Sequence, residues 1–460
     1  MADMPQSHMR LWRFITSVAL PSMYLKRKLS FDLKRWQERT SRKPLVLLGA
    51  RQVGKTSALK RFAEEGYANL AYLNFEERPL ARDLFRASLA PADVIKAVSL
   101  ELRTVIEPKR TLLVFDEVQD APEALTSLKY FCEDAPEYHV AAAGSLLGVK
   151  VKKGIGFPVG KVDFIEVHPL SFGEFLEAVN EAELAALLAN KKDWERLPDS
   201  IHQRLLGYIK IYMLTGGMPE TVAEYSSTRD WHAVRRIQQA ILRAYELDMA
   251  KHAPATLIPK LYQVWQSLLP QLSHENRKFK YTDVASGARA RSHEDAVQWL
   301  IDAGLLIKCC NLEAAKLPLA AYANHEYFKL FLLDCGLLAA MGNLDPLAFL
   351  QGERLLQEFR GAFTENFVAQ ELVWKHNQAL YYWASGNRAE VDFVVEDAGR
   401  IFPLEVKAGI QLQSKSLAAF LKRFGHPVAC RASAGIFARN PPYDDYPLYG
   451  LTAFPDLSHG

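Results

Sequence analysis

The stretch "GARQVGKTS" at residues 49–57 places two glycines, a lysine and a threonine in the spacing G-x-x-x-x-G-K-[ST]. Glycines let backbone N–H groups curl round a phosphate, a lysine ammonium neutralises its charge, and a threonine hydroxyl is a ligand for Mg²⁺. The spacing therefore predicts a loop that binds ATP with Mg²⁺. The residues expected to contact the nucleotide are Gly49, Ala50, Arg51, Gln52, Val53, Gly54, Lys55, Thr56 and Ser57, with Thr56 also on the metal.

Polar residues close two further apolar strands. "TLLVFDEVQ" ends its strand in Asp116 and Glu117, which are expected to hold Mg²⁺ and to polarise the attacking water. Without the phosphate loop upstream, such a pair would equally be a solvated strand end. "HVAAAGS" ends in Ser145, which is expected to touch the γ-phosphate or the water, the alternative being an ordinary turn serine.

A second reactive set lies near the C-terminus, in "AEVDFVVEDAGRIFPLEVKAG" at residues 389–409. Asp392 on one strand, with Glu405 and Lys407 on the next, gives the core of the PD-(D/E)xK nuclease pattern. Glu365, in the helical pattern "GAFTENFVAQEL", would complete it. Asp392 and Glu405 are predicted to bind Mg²⁺, and Lys407 to stabilise the water or the phosphate. The alternative is a salt-bridged Glu405–Lys407 pair in an inert docking domain.

Strand and helix patterns alternate from the phosphate loop to about residue 170. "PLVLLG" (44–49), "TLLVFDE" (111–117) and "YHVAAAGS" (138–145) have strand patterns, and "KTSALKRFAEEG" has a helical one that closes on Gly66. Such alternation is typical of βαβ units, which build a parallel sheet covered by helices. The chain is therefore predicted to have an α/β fold built on a P-loop NTPase sheet.

Length and composition exclude several classes of protein. At 460 residues the chain is too long for one ordinary domain, and its net charge of +3 does not support a uniformly basic nucleic-acid coat. Five scattered cysteines without a C-x-x-C pair argue against a disulfide framework or zinc ribbon and fit a reducing cytoplasm. No apolar run reaches transmembrane length, and "FITSVAL" is too short for a signal peptide. We therefore expect a cytoplasmic protein without a membrane partner.

Five motifs together resemble a large prokaryotic family of AAA-type ATPases with a C-terminal domain of unknown function. They are "LLGARQVGKTS", "LLVFDEVQ", "AAAGSLLG", "HPLSFGEF" and "GGMPE", and the resemblance runs from about residue 24 to 450. It implies an ATPase core, a helical lid, a winged-helix-like segment and a C-terminal α/β restriction-endonuclease-like domain. Many members carry an arginine where this chain has Lys161; this lysine either replaces a trans-acting arginine finger or is a surface residue.

Helical and strand patterns divide the chain along the lines that the resemblance implies. The predicted parts are an N-terminal helical leader (1–40), a P-loop AAA-type ATPase core (41–170), a helical lid (171–255), a winged-helix-like segment (256–345) and a PD-(D/E)xK nuclease-like domain (346–460).

The winged-helix pattern starts in "KFKYTDVASGARARSHEDAVQWL", with "TDVASG" as the second helix and Ser292 as the cap of the third. "LLIKCCNLE" and "ANHEYFKLFLLD" would form the wing hairpin. Arg289 and Arg291 could contact phosphates, but Glu294 and Asp295 in the first turn argue against base reading. The alternative is a winged helix that serves packing or oligomer contacts.

Two functions follow as hypotheses. The first is an ATP hydrolase, working as a homo-oligomer, that delivers nucleic acid to the C-terminal nuclease-like site. The second is a regulatory switch ATPase whose C-terminal domain binds a partner or nucleic acid without cutting. ATP turnover that responds to DNA would favour the first.

Overall fold

A parallel five-stranded sheet forms the first half of the molecule, in a computed structural model that describes residues 25–145, 158–190, 197–274, 277–351, 357–386, 389–409 and 414–455. Its strands follow the order β2-β3-β4-β1-β5, and every neighbouring pair is parallel. The strands are β1 (Leu45–Gly49), β2 (Asn69–Asn74), β3 (Thr111–Asp116), β4 (His139–Ser145) and β5 (Asp163–Glu166). The predicted α/β fold with a parallel sheet is confirmed.

Helices cover both faces of this sheet. Alternate residues of β1 pack on opposite sides, because side chains along a strand point to opposite faces. The helices are α1 (Lys28–Glu38), α2 (Lys55–Gly66), α3 (Arg82–Ala87), α4 (Pro91–Leu102) and α5 (Pro122–Asp134). Within the predicted leader, residues 1–24 lie outside the described ranges. Helix α1 buries Leu29, Leu33 and Trp36 against the core, so this part is an integral element of the ATPase region.

The range predicted as a lid is helical. It contains α6 (Phe172–Ala178), α7 (Ala182–Ala189), α8 (Asp199–Thr215), α9 (Pro219–Thr228) and α10 (Trp231–His252). Ser171, from the "PLSF" motif, accepts a hydrogen bond from Glu174 N, and the Glu174 carboxylate accepts one from Ser171 N. This reciprocal capping box starts α6 and explains why serine and glutamate stand three residues apart there.

A mixed eight-stranded sheet forms the second half, in the order β12-β13-β11-β10-β9-β8-β6-β7. Its strands are β6 (Leu306–Leu312), β7 (Ala323–Leu332), β8 (Leu380–Ser385), β9 (Ala389–Asp397), β10 (Arg400–Val406), β11 (Ala429–Ser433), β12 (Ala438–Asn440) and β13 (Tyr443–Pro447). Its helices are α11 (Ile258–Ser273), α12 (Ala290–Asp302), α13 (Cys335–Met341), α14 (Pro346–Gln351), α15 (Gln357–His376) and α16 (Lys415–Phe424). One buried apolar cluster continues from the first sheet through the lid to this sheet.

The predicted wing hairpin exists, but it is part of this second sheet. Strands β6 and β7 pair antiparallel, and β6 also pairs in parallel with β8. Pairing with β8 satisfies the edge of β6 that a free wing would expose to solvent. The predicted boundary at residue 346 therefore falls between strands of one continuous sheet.

Two local predictions in the winged-helix segment are wrong. "TDVASG" forms only a 3₁₀ turn at Tyr281–Asp283, because Thr, Asp, Ser and Gly favour turns over helix interiors. Helix α12 begins at Ala290 with Arg289 as its N-cap residue, so Ser292 stands in the first turn. Its hydroxyl donates a hydrogen bond to Arg289 O at 2.8 Å, so Ser292 is not the N-cap residue that the sequence predicted.

The described helices include none that combines the length and the apolarity needed to cross a bilayer. All five cysteines are free thiols, and Cys132 alone of them is not fully buried.

Candidate functional site

The phosphate loop lies between β1 and α2, at the carboxyl edge of the parallel sheet. Gly49 must be glycine because a Cβ there would stand 2.3 Å from Val167 O. Gly54 adopts φ +92°, a left-handed conformation that side chains disfavour. The Lys55 ammonium is buried and donates to Gly49 O at 2.9 Å and to Ala50 O at 2.8 Å. The loop is thereby curled round its own lysine at the start of α2.

Asp116 meets the loop at the end of β3. The Thr56 hydroxyl donates to Asp116 Oδ2 at 2.7 Å, and the Tyr72 hydroxyl donates to the same oxygen at 2.7 Å. Burial and the Asp116 carboxylate both raise the pKa of Tyr72, so it stays a donor. A hydroxyl and a carboxylate in contact suit Mg²⁺, which prefers oxygen ligands. Thr56 and Asp116 therefore fit a magnesium ion, and Tyr72 is a positioning residue that sequence patterns did not single out.

Glu117 follows at φ +52°, a left-handed conformation uncommon for glutamate. Its carboxylate accepts a hydrogen bond from Gln119 Nε2, which orients it, and its N–H donates to Asp116 Oδ1 at 3.0 Å. Ser145 ends β4 directly beside Gly49 in the strand register. The backbone thus brings the predicted water-polarising residue and Ser145 to the same sheet edge as the loop.

Burial lowers the pKa of Lys55 to about 8, with Glu117 and Asp116 acting in the opposite direction. Above pH 8 the Lys55 side chain of the nucleotide-free protein is increasingly neutral. It must then take up a proton to neutralise a bound phosphate. We expect ATP affinity to be nearly constant below pH 8 and to fall by roughly tenfold per pH unit above it. Calorimetric titration between pH 7 and 9.5 measures this.

Lys55→Arg is the control for this pH dependence, because a guanidinium stays charged throughout the range. Its profile should be flat even if its affinity is lower than that of the natural protein. An equal wild-type affinity at pH 7 and pH 9.5 would contradict the predicted role of Lys55 deprotonation.

Helix α10, in the range predicted as a lid, contacts the phosphate loop. Arg51 Nε pairs with Asp248 Oδ2 at 2.8 Å, and the Tyr245 hydroxyl donates to Arg51 O at 2.9 Å. Lys251 pairs with Glu76 Oε1 at 3.0 Å. The Arg51 guanidinium, predicted to contact nucleotide, therefore pairs with helix α10, in the range predicted as a lid.

Lys161 lies in the turn before β5. Its ammonium is 2.8 Å from Glu133 Oε1, and both side chains are partly exposed. A pair of this kind contributes little to stability. The contact matches the prediction of a surface lysine, and a role toward a neighbouring subunit stays a prediction.

The C-terminal carboxylates meet around a lysine. Glu365 projects from α15, and Asp392 from β9. Lys329 Nζ of β7 is 3.6 Å from Glu365 Oε2 and 3.6 Å from Asp392 Oδ1. Glu390 Oε1 is closer, at 2.5 Å. Arg277 also pairs with Glu365.

Glu405 and Lys407 form their own ion pair at 2.5 Å. The Ser414 hydroxyl donates to the Glu405 carboxylate, and Val406 N donates to Asp392 Oδ2 at 2.8 Å. Burial raises the pKa of Glu405, and Lys407 opposes that shift. Within the described ranges, no three or more His, Cys, Asp or Glu side chains are placed to hold a metal. The predicted Asp392–Glu405 metal site does not fit a divalent ion as its side chains lie, because cationic side chains already pair with these carboxylates.

The opposite face of α15 joins the lid. Glu371 Oε1 accepts from Phe172 N at 2.8 Å, and Gln370 Nε2 donates to the Tyr212 hydroxyl at 2.8 Å. Asp334 Oδ2 accepts from Gly217 N at 2.6 Å. The "PLSF" and "GGMPE" motifs therefore dock the lid onto the C-terminal sheet and its helix.

Burial raises the pKa of Glu371 to about 8, far above its ordinary value of 4.5. The folded chain then binds a proton that the unfolded chain releases, so the unfolding free energy should fall as pH rises from 4.5 to 8. We expect Glu371→Gln to flatten this dependence and to raise stability at pH 8 by about 2 kcal/mol. Urea unfolding at pH 6 and pH 8 measures both effects.

Glu294→Gln, on the exposed face of α12, is the matched control and should leave the pH dependence unchanged. A Glu371→Gln variant with the wild-type pH dependence would show that Glu371 is not the titrating group.

Comparison with known proteins assigns a family to the region that contains the phosphate loop. Residues 41–176 match the model described as "AAA domain". The chain contains an AAA-type P-loop ATPase domain. That fold implies nucleotide binding, usually with Mg²⁺. Residues 207–348 match a "Domain of unknown function (DUF8612)", and residues 360–445 match a "Domain of unknown function (DUF4143)".

Solved structures show more distant similarity. A Walker-type ATPase of Pyrococcus abyssi is 14% identical, covers 69% of this chain and 96% of its own, and has a TM-score of 0.45. The Orc1 protein of Aeropyrum pernix in complex with DNA is 13% identical, with 73% and 97% coverage and a TM-score of 0.30. The RuvB Holliday junction branch migration motor of Thermotoga maritima is 16% identical, with 64% and 89% coverage and a TM-score of 0.28. Scores this low carry no functional argument, and no curated protein matches the chain.

Proposed function

We propose that the chain is a cytoplasmic, Mg²⁺-dependent ATP hydrolase that works as a homo-oligomer and couples its nucleotide state to nucleic acid through the C-terminal domain. The observation that best supports ATP hydrolysis is the Thr56–Asp116 hydrogen bond of 2.7 Å beside the buried Lys55. A hydroxyl and carboxylate for Mg²⁺ thus lie next to an ammonium for phosphate, at the start of a helix.

Each residue of the site has a distinct part in hydrolysis. Bound Mg²⁺ would neutralise charge on the phosphates, and Thr56 with Asp116 would hold it. Lys55 would stabilise the negative charge that develops on the leaving phosphate oxygens. Glu117, held by Gln119, would orient the attacking water and accept its proton. Tyr72 keeps the Asp116 carboxylate facing Thr56.

The lid contacts support a route from the nucleotide to the C-terminal domain. Arg51 is bound to Asp248 of α10, so a phosphate that attracts this guanidinium would compete with the lid for it. The lid in turn contacts α15 through Phe172 and Glu371. Glu365 lies on the same helix α15, so a shift of the lid would reach the carboxylates through one rigid element.

A second candidate function is the regulatory switch with a non-cleaving C-terminal domain. One observation favours it: Lys329 and Lys407 already pair with the carboxylates that a nuclease would use for metal. Such a domain would bind nucleic acid or a partner and release it according to the nucleotide state.

Two assays test these proposals. ATP turnover is measured with and without single-stranded, double-stranded and branched DNA, where stimulation supports the coupling to nucleic acid and indifference favours the switch. Cleavage of the same substrates and of RNA is measured with Mg²⁺ or Mn²⁺, with and without ATP. Cleavage lost in Glu405→Ala and Lys407→Ala supports the nuclease, and its absence from all substrates supports the non-cleaving domain.

A further inference from the structure

Lys329, in strand β7, is almost completely buried, with 1% of its side chain exposed. Its neighbours Phe328 and Leu330 are buried as well. A buried ammonium is costly unless it is paired, and here it faces carboxylates from two elements. Glu390 and Asp392 come from β9, and Glu365 comes from α15. We call these three acids with Lys329 the β7–β9 cluster.

One oxygen of the cluster has no hydrogen-bond partner. Glu365 is 4% exposed, and its Oε2 atom is buried without a donor, although Lys329 Nζ stands 3.6 Å away. Its other oxygen pairs with Arg277. Buried carboxylate oxygens normally accept a hydrogen bond, so this oxygen is available as a ligand to a cation placed among the three acids. Three carboxylates offer the hard oxygen ligands that Mg²⁺ and Mn²⁺ select.

We propose that Lys329 takes the place of a divalent cation in the β7–β9 cluster and keeps Mg²⁺ and Mn²⁺ out of it. The three acids carry −3, and Lys329 with Arg277 supplies +2, so the group has a net charge of −1. Without the ammonium the same buried group carries −2, which a divalent ion neutralises. Replacing this one lysine by a neutral side chain therefore creates a divalent-cation site. The inference does not depend on ATP hydrolysis.

The test measures the binding of Mn²⁺ to the full chain without nucleotide. Binding is measured by calorimetry and by the paramagnetic resonance signal of free Mn²⁺. Lys329→Met keeps the length of the side chain and removes its charge. We expect this variant to gain one Mn²⁺ site that binds at least about tenfold more tightly than anything in the wild type. The added changes Glu390→Gln and Asp392→Asn together should abolish the site, because they leave only the Glu365 carboxylate, which Arg277 already neutralises. Lys308→Met, on the neighbouring strand with its ammonium over the Phe328 ring, should gain none.

Lys329→Met leaves buried carboxylates unpaired, which opposes folding, so a second variant is needed. The double variant Lys329→Met, Glu390→Gln restores the net charge of −1 and keeps two carboxylates and an amide oxygen. Mn²⁺ should raise its melting temperature by several degrees and leave the wild type unchanged. The proposal is overturned if wild-type protein binds Mn²⁺ in a manner lost with Asp392→Asn. It is equally overturned if neither folded Lys329 variant binds Mn²⁺.

Discussion

Lys55→Ala is expected to weaken ATP binding by at least about 100-fold. The ammonium is buried in the loop, where it donates to Gly49 O and Ala50 O. Removing it takes away the positive charge that would attract the phosphate and leaves both carbonyls without their donor. The loss of affinity should appear in calorimetric or fluorescent-nucleotide titrations.

Lys96→Ala is the charge-matched control, because Lys96 is an exposed lysine on α4 away from the loop. It should bind ATP as the wild type does. Circular dichroism and thermal unfolding show whether Lys55→Ala keeps its fold. A folded Lys55→Ala protein with wild-type affinity would remove the phosphate loop from the proposed function.

The phosphate loop could be predicted because its signals are local. Gly49, Gly54, Lys55 and Thr56 stand within eight consecutive residues and are held by the strand and helix that flank them. The loop then needs only backbone conformations that glycine adopts readily at Gly49 and Gly54. Asp116 could be added because parallel strands end at one sheet edge.

The partners of the loop could not be predicted, because they come from distant parts of the chain. Tyr72 and Asp248 reach the site only through tertiary packing, and their spacing in the sequence contains no motif. The same holds for Arg27, which donates to Val53 O at 2.5 Å across the start of α1. Hydrophobic periodicity places such residues on elements but does not say which elements meet.

The C-terminal set illustrates a different limit. The strand–turn–strand pattern places Asp392 on β9 and Glu405 on β10, since alternation along a strand is local, while Lys407 follows the last residue of β10. The interpretation of β7 as a free wing concealed Lys329. Lys329 interrupts the apolar run that ends this strand, and a lysine at such a position indicates burial against acids.

Glu117→Gln is expected to lower the ATP turnover rate by about 100-fold or more while leaving ATP affinity within roughly threefold of wild type. Glutamine keeps the shape and an oxygen that can accept from Gln119, but it cannot take a proton from water. Lys55, Thr56 and Asp116 stay in place, so binding should persist. Phosphate release under single-turnover conditions, with a parallel binding titration, separates the two effects.

Glu123→Gln, in the first turn of α5, is the matched control and should turn over ATP at the wild-type rate. If Glu117→Gln lost binding and turnover together, its carboxylate would serve the loop structure and not the water. If turnover stayed normal, the water would be activated by another group at the same edge. Ser145, which ends β4 beside Gly49, would then be the next residue to replace.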